Sequence, residues 1–290
     1  MPVQGDLTLF DYELLDCGGG RRLERFADIV VDRPAPQATW PKSQSVAEWL
    51  SADAYYERPV SGQGHWLDTD VFPQPWQLQL DNIRLELRPA ANGQVGIFPE
   101  QLPNWRWMAE HLQRQQGRLV RVLNTFAYTG VATLMASAAS TDVEVCHVDG
   151  ARASVMAARR NAELSGLQQR PIRWIVDDVM TFLHREIKRG NRYDGIILDP
   201  PAFGRGAHAS WQLKRDLPEL LGCVKQLMSD TPSFIVLSCH APDLTSSGLA
   251  VMLDAILGAS KSKSEAIDLV IPSISGNELP SSICARVKFP

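Results

Sequence analysis

The chain has 290 residues, which is enough for about two domains of roughly 150 residues each. Hydrophobic residues make up 44% and charged residues 21%, which excludes a mainly disordered chain and a collagen-like protein. The net charge of −4 at pH 7 argues against a strongly basic nucleic-acid clamp. Residues 1–95 contain 8 basic and 14 acidic residues, whereas residues 96–290 contain 21 and 19, so we expect any anionic partner to meet the second part.

The five cysteines favour reduced thiols, because their number is odd and no two of them form a C-x-x-C pair. We therefore expect a cytoplasmic protein with neither a disulfide framework nor a zinc site. The chain starts without a basic stretch followed by an apolar run, and no stretch approaches about 18 uncharged apolar residues. We predict no secretory signal, no membrane span and no metal, and the sequence leaves the oligomeric state open.

The first 95 residues are rich in predicted strands, and we assign residues 1–95 to a smaller, β-rich N-terminal accessory domain. FDYELLDCGGGRRLERFADIVVD predicts two strands around a turn at Gly18–Gly20, and SVAEWLSADAYYER predicts a short helix. WQLQLDNIRLELRP predicts a second hairpin around Asp81 and Asn82. Six of the eight tryptophans lie before residue 110, where they either fill this domain's core or form a stacking platform for nucleic-acid bases.

Residues 96–290 alternate between short apolar strands and helical stretches. Five predicted strands, each followed by a helix, lie at 119–126, 143–149, 172–176, 193–199 and 233–239. AIDLVI and ICARVKF end the chain as two further strands. This alternation predicts an α/β fold with a doubly wound, mostly parallel seven-stranded sheet. Ligands of such sheets bind at the carboxyl ends of the strands.

Polar residues follow the first three of these strands. The segment 124–130, NTFAYTG, leads into a helix through a glycine turn, which brings backbone amides close to an anionic or polar ligand. Asp149 ends the second strand, where it either accepts hydrogen bonds from ribose hydroxyls or caps the next helix. Asp177 and Asp178 end the third strand, and we expect one to accept from an adenine amino group and the other to be a cap.

The fourth strand ends in Asp199-Pro200-Pro201-Ala202-Phe203. Two consecutive prolines remove two backbone donors and stiffen the turn, so Asp199 is presented outward in a fixed geometry. Phe203 lies where a planar substrate can stack. Each strand end has an ordinary structural explanation by itself, but the four together in this order indicate a functional site.

These motifs resemble those of class I S-adenosylmethionine-dependent methyltransferases. Within that class the chain is similar to the ribosomal RNA large-subunit methyltransferase-like family, which includes 5-methylcytosine and 7-methylguanine enzymes. The resemblance covers roughly residues 95–290 and lies in VLNTFAYTG, HVDGARASVMAARRNAEL, IVDDVMTFL and DPPAFGRG. It implies a Rossmann-like methyltransferase domain over 96–290, S-adenosylmethionine as cofactor, and RNA as substrate, with a cytosine or guanine base of ribosomal RNA as acceptor.

Other functions remain open at this stage. A methyltransferase acting on a protein or a small molecule has the same cofactor motifs, and so does a non-catalytic cofactor- or RNA-binding module. A nicotinamide-dependent oxidoreductase predicts G-x-G-x-x-G after the first strand, where this chain has FAYTGVA.

The resemblance also implies individual roles. Asp149 matches the ribose-binding acid, Asp178 rather than Asp177 matches the adenine-side acid, and GIFPEQLPNW matches a segment that covers the cofactor. Asp199, Pro200 and Pro201 match the motif next to the transferred methyl group, and Phe203 joins them as a candidate catalytic residue through stacking. The full set of implied cofactor contacts is Phe98, Gln101, Trp105, Asn124, Phe126, Ala127, Tyr128, Thr129, Gly130, Asp149, Gly150, Asp178, Val179 and Asp199.

Cys239 is a candidate nucleophile. Methylation of a cytosine ring carbon usually needs transient attack by a cysteine thiolate, and the family's cytosine enzymes carry a serine–cysteine motif at the end of the fifth strand. Here that motif is Ser238-Cys239-His240, with histidine where the family pattern has serine. The alternative is a buried structural cysteine. Ala202 directly follows the two prolines, where methyltransferases that act on amino nitrogens often have an aromatic residue. This argues against an amino nitrogen as the methyl acceptor.

Basic residues of the second part either contact RNA phosphates or form solvated helix faces. Those considered as phosphate contacts are Arg106, Arg114, Arg118, Arg121, Arg205, Lys214 and Arg215.

Overall fold

The computed structural model describes residues 10–58, 64–115, 117–205, 210–241, 243–258 and 262–289. The chain divides into two compact units. The first unit contains residues 1–101 and 270–281, and the second contains residues 102–269 and 282–290. Across the described ranges, every helix is too short or too polar to cross a membrane.

The first unit contains a five-stranded sheet in the order β1-β2-β3-β4-β5 and a separate hairpin of β6 and β7. Gly19 and Gly20 have φ values of 59° and 74°, a conformation that glycine adopts at little cost, so the predicted turn between β1 and β2 is confirmed. The hairpin predicted around Asp81 is also confirmed. The elements are β1 (Tyr12–Gly18), β2 (Arg21–Phe26), β3 (Ile29–Pro34), α1 (Val46–Leu50), β4 (Ala54–Glu57), β5 (His65–Leu67), β6 (Trp76–Leu80) and β7 (Ile83–Leu87), with 3-10 turns at Thr69–Val71 and Pro99–Gln101.

Two details of the first unit differ from the sequence prediction. The chain turns at Ala27, with φ of 53°, so a third strand follows where one long strand was expected. No glycine or proline marks this turn. The predicted helix over 45–58 is only α1, which begins with a capping box of Ser45 and Glu48, and the rest of that stretch includes β4. The aromatic residues Tyr55 and Tyr56 favour a strand once β3 offers a partner.

Trp49 and Trp76 of the first unit are core residues, whereas Trp40 and Trp66 are half-buried. Trp49 and Trp76 are buried, and their indole N–H groups donate to the Asp16 carboxylate and to the Phe26 carbonyl. Trp66 donates to the carbonyl of Ala90 at 2.8 Å. Buried indoles with satisfied N–H groups are typical of cores.

Asp16 is the polar centre of the first unit. Its Oδ2 atom accepts hydrogen bonds from the backbone amides of Ser43 and Gln44 and from the indole of Trp49, at 2.9–3.0 Å. Its Oδ1 atom accepts from the amide of Cys17 at 2.9 Å and from the hydroxyl of Ser275 at 2.7 Å. This one carboxylate therefore joins β1, the start of α1 and the turn at 273–277.

We expect Asp16→Asn to lower the free energy of unfolding by roughly 3 kcal/mol, because the amide nitrogen would face donors that a carboxylate satisfies. Burial raises the pKa of Asp16, but the hydrogen bonds from Gln44, Ser275, Trp49 and Cys17 outweigh it and lower the pKa. Its stabilising contribution is therefore present above the unfolded pKa near 3.9 and is lost as the pH falls through the lowered folded value.

Urea unfolding of wild type, Asp16→Asn and the control Asp11→Asn tests this expectation. Asp11 is exposed and accepts one amide hydrogen bond, from Gln79. The difference between wild type and Asp16→Asn should shrink as the pH is lowered below about 4. Equal free energies of unfolding for Asp16→Asn and Asp11→Asn would contradict a special role for Asp16.

The second unit carries the predicted seven-stranded sheet, in the order β10-β9-β8-β11-β14-β16-β15. The first five of these strands are parallel to their neighbours, and β16 is antiparallel to β14. The doubly wound, mostly parallel α/β fold is thus confirmed. The elements are α2 (Leu102–Gln113), β8 (Val120–Thr125), α3 (Val131–Ala139), β9 (Val143–Asp149), α4 (Arg152–Leu164), β10 (Ile172–Val176), α5 (Val179–Lys188), β11 (Gly195–Leu198), β12 (Phe203–Arg205), β13 (Ser210–Gln212), α6 (Leu213–Leu227), β14 (Phe234–Cys239), α7 (Ser246–Leu257), β15 (Glu265–Pro272) and β16 (Glu278–Lys288).

The two structural units are not the contiguous stretches 1–95 and 96–290 that the sequence suggests. The strands β15 and β16 extend past the sheet, and the segment 270–281 around their connecting turn joins the first unit. There the amide of Ile274 donates to the carbonyl of Leu14 at 2.8 Å, next to the bond between Ser275 and Asp16. Long-range pairing of this kind has no local signature in the sequence.

Candidate functional site

The register of the parallel strands places five strand ends side by side. Thr125 of β8 is paired with Val148 of β9 and with Leu198 of β11. Val176 of β10 is paired with Asp149, and Leu198 with Leu237 of β14. The residues that follow these positions, including the loop 126–130, Asp149 and Asp199, therefore meet at one edge of the sheet.

The loop 126–130 has a strained backbone. Phe126, Tyr128 and Gly130 have φ values of 53°, 48° and 87°, in the left-handed region. This conformation costs a non-glycine residue roughly 1–2 kcal/mol, and such strain is concentrated at functional sites. At Gly130 a Cβ atom would lie 2.8 Å from the Cβ of Ala158 on α4, so only glycine lets the loop pack this closely.

Asp149 holds this loop in place. Its Oδ2 atom accepts a hydrogen bond from the amide of Tyr128 and its Oδ1 atom one from the amide of Ala151, both at 2.8 Å. Burial raises the pKa of Asp149, although the same two hydrogen bonds oppose the shift. Asn161 of α4 supports the loop from the other side, because its side-chain amide donates to the carbonyl of Thr129 at 3.0 Å.

Asn124 lies buried beneath the loop. Its side-chain amide donates to the hydroxyl of Thr133 at 2.9 Å, and that hydroxyl lies 3.0 Å from Nδ1 of His147. Burial lowers the pKa of His147 to about 3, so the imidazole is neutral. Asn124 is therefore part of a buried polar chain between β8, α3 and β9, and the cofactor contact predicted for it stays a prediction.

At the third strand end the cap is Asp178 and not Asp177, which corrects the expected division of roles. The Oδ1 atom of Asp178 accepts a hydrogen bond from the amide of Thr181 at 2.9 Å, so Asp178 caps the start of α5. Asp177 instead forms an ion pair with Arg185. Asp178 remains the acid predicted on the adenine side. The side chain of Val179 is buried in the core cluster of this unit.

The turn after β11 is built around Asp199. The hydroxyl of Ser238 on β14 donates to Oδ1 of Asp199 at 2.7 Å. Pro200 is buried and Pro201 is exposed, so the turn rests on the core while its outer side faces solvent. Phe203 is 78% exposed, which is unusual for a large apolar side chain and consistent with a stacking role.

Cys239 has the environment of a structural cysteine. It is fully buried in the core cluster and is paired with Ile283 of β16. Burial, with the nearby charge of Asp199, raises the pKa of Cys239 to about 12. A nucleophilic cysteine needs a lowered pKa and access to its substrate, so this geometry opposes the nucleophile role.

The other residues predicted to contact a cofactor lie in both units. Phe98 and Gln101 belong to the first unit, around the 3-10 turn 99–101, and Trp105 is a buried residue of α2 in the second unit. Gly150 is exposed beside Asp149. Ala127 and Thr129 are buried within the loop. Their contacts with a cofactor stay predictions.

The basic residues considered as phosphate contacts lie mostly in ion pairs. Arg118 pairs with Asp194, and Arg121 with Glu144, at the amino ends of the strands and therefore away from the candidate site. The remaining pairs are Lys214 with Asp243, Arg215 with Asp216, and Arg114 with Glu110. The side chain of Arg205 lies outside the described part.

Sequence reasoning missed three residues of this site. Asn161 has no separate signal in the sequence, and Ser238 was considered only as a part of the motif around Cys239. Trp211 of β13 is one of only two tryptophans after residue 110, which is a signal that points to it. Its indole donates to the carbonyl of Pro201 at 2.7 Å.

This arrangement agrees with comparisons to known proteins. The profile of the S-adenosylmethionine-dependent methyltransferase family matches residues 20–247. The chain belongs to this family. The expected class I fold and the S-adenosylmethionine cofactor are thereby confirmed.

Solved methyltransferases share the fold over almost the whole chain. An S-adenosylmethionine-dependent methyltransferase from Agrobacterium tumefaciens is 34% identical, with a TM-score of 0.90 over 96% of this chain and 90% of that one. A methyltransferase crystallised with S-adenosylhomocysteine is 18% identical, with a TM-score of 0.73 over 97% of this chain and 76% of that one. At that lower identity it supports the fold alone.

Curated relatives match over a shorter stretch. The ribosomal RNA large subunit methyltransferase I of Erwinia tasmaniensis is 32% identical over 149 residues, which are 50% of this chain and 36% of that protein. The enzyme of the same name from Aeromonas salmonicida is 25% identical over 188 residues, 65% of this chain and 46% of that protein. The matched part is thus less than half of each relative.

We expect Asp149→Ala to weaken binding of S-adenosylhomocysteine roughly 10- to 100-fold, because a charged hydrogen-bond acceptor is lost and the strained loop is released. Titration calorimetry measures this change. Glu144→Ala is the matched control, since Glu144 is an exposed carboxylate on the same strand and pairs with Arg121. Equal affinity of the two variants would contradict a binding role for Asp149.

Proposed function

We propose that this protein transfers a methyl group from S-adenosylmethionine to RNA, with ribosomal RNA as the expected substrate. The observation that carries the proposal is the Asp199-Pro-Pro turn at the same sheet edge as the Asp149-bound loop. The relatives named ribosomal RNA large subunit methyltransferase I support an RNA acceptor. The five free thiols of the described residues fit a cytoplasmic location.

The residues at the strand ends fit this cofactor. Asp149 presents a partly buried carboxylate suited to ribose hydroxyls, and a Cβ at the adjacent Gly150 would have only the carbonyl of Asp177 nearby, at 3.7 Å. The backbone is therefore open on the Cβ side of Gly150, beside the acid. Asp178, the cap of α5, is the acid on the adenine side.

S-adenosylmethionine supplies an activated methyl group on a sulfonium centre, so the protein mainly orients the reactants and excludes water. Asp149 and the loop 126–130 hold the donor side. Asp199, fixed by the hydroxyl of Ser238, faces the acceptor side and can accept a hydrogen bond from it. Phe203 offers an exposed aromatic surface on which the acceptor base can stack.

Within this proposal, the burial of Cys239 favours an acceptor atom that has its own lone pair. A guanine ring nitrogen attacks the methyl group directly, whereas a cytosine ring carbon needs prior attack by a thiolate. The thiol of Cys239 is buried and its pKa is raised to about 12, so a thiolate is scarce at neutral pH.

We expect a strain lacking this protein to lose one methylated base from ribosomal RNA, as measured by mass spectrometry of digested RNA. The wild-type chain should restore the modification, and Asp199→Ala should not. Purified protein should also transfer labelled methyl groups to RNA from the deletion strain. Transfer to the protein or metabolite fraction instead would overturn the RNA proposal and favour the alternative acceptor.

We expect Cys239→Ala and Cys239→Ser to keep methylating RNA at a rate within about threefold of wild type, because no thiolate takes part in direct transfer. Cys284→Ala is the control for loss of a buried thiol, since Cys284 is also buried and its pKa is also raised to about 12. Loss of activity in folded Cys239 variants only, with a covalent enzyme–RNA adduct in wild type, would contradict direct transfer.

A further inference from the structure

The short strands β12 and β13 form a ribbon directly after the Asp199-Pro-Pro turn. Their register pairs Gly204 with Trp211 and Phe203 with Gln212. Neighbouring positions along a strand face opposite sides, so Phe203 and Trp211 lie on opposite faces of the ribbon. A Cβ at Gly204 would lie 3.5 Å from the Cβ of Trp211 and 3.7 Å from the Cγ of Pro201, so Gly204 packs beside both residues.

Trp211 contacts two segments of the site at once. Its Nε1–H donates to the carbonyl of Pro201 at 2.7 Å. The centre of its ring lies 5.3 Å from that of Phe126, with an angle of 51° between the ring planes. Pro201 ends the turn on the acceptor side, and Phe126 begins the loop on the cofactor side.

Both contacts act on segments that need support. Two consecutive prolines offer no backbone N–H of their own, so the exposed turn is held by what its carbonyls accept. Phe126 has a left-handed φ of 53°, and packing against a large ring helps to keep it there. An indole can do both because it combines a large apolar ring with one N–H donor.

We propose that Trp211 is a positioning residue, which fixes the turn 199–201 relative to the loop 126–130 and so aligns acceptor and methyl donor. The inference rests on the proposed methyl transfer. Trp211 would have two separate effects. Its N–H group orders the turn 199–201 and so affects kcat, whereas its ring supports Phe126 and so affects cofactor affinity. Misplacement of reacting groups by about 1 Å is enough to slow a reaction considerably.

Two variants separate these effects. Trp211→Phe keeps an aromatic ring and removes the donor, and Trp211→Leu removes both. We expect Trp211→Phe to lower kcat about tenfold with S-adenosylhomocysteine affinity within about threefold of wild type. Trp211→Leu should in addition weaken that affinity about tenfold. The matched control is Trp107→Phe, because the Trp107 ring packs on His111 and on Phe234 at the amino end of β14.

Hydrogen–deuterium exchange makes the test independent of the acceptor. The amides of Ala202 and Phe203 should exchange faster in Trp211→Phe than in wild type or Trp107→Phe, whatever substrate is methylated. Absence of RNA methylation by wild type, with this exchange change present, would reject the proposed function and keep the positioning role. The positioning role would be overturned by an unchanged exchange rate of these amides or an unchanged kcat in Trp211→Phe. An equal loss of kcat in Trp107→Phe would overturn it too.

Discussion

The carboxylate of Asp149 is the interaction on which the site depends. Its two oxygens accept amide hydrogen bonds from Tyr128 and Ala151, and so join the loop after β8 to the start of α4. The loop contains two non-glycine residues in the left-handed region, which it would leave without such support. The parallel register of β8, β9 and β10 in turn sets where Asp149 stands. Asp149 therefore links the register of the sheet to the strained backbone of the loop 126–130.

The two sides of the site are supported by different means. On the side that we propose for the cofactor, the loop 126–130 is held by the carboxylate of Asp149 and by the buried side-chain amide of Asn161. On the side that we propose for the acceptor, the turn has two prolines, a hydrogen bond from Ser238 to Asp199 and one from the indole of Trp211 to Pro201. The first kind of support uses a charged group on β9 and an amide on α4, whereas the second depends on side chains of β14 and β13 that contact an exposed turn.

The sequence predicted the centre of this sheet well because β8, β9, β11 and β14 are mostly buried and read as nearly continuous apolar runs. Strand ends could be found for the same reason, which is why Asp149 and Asp199 were identified. The sequence could not show which of Asp177 and Asp178 begins α5, since both precede the same apolar helix. The ribbon of β12 and β13 was missed because three-residue strands have no periodicity. Burial of Cys239 also depends on β16, a strand more than forty residues away along the chain.

The bond between Asp16 and Ser275 has a consequence for synthesis. Ser275 leaves the ribosome 259 residues after Asp16. The five parallel strands end at Cys239 and are complete before that point, whereas the first unit still lacks residues 270–281. Until the segment 270–281 has been synthesised, the carboxylate of Asp16 has only its hydrogen-bond partners from residues 17–49. A nascent chain stalled before residue 270 therefore carries an incomplete N-terminal unit, however well its sheet of parallel strands has folded.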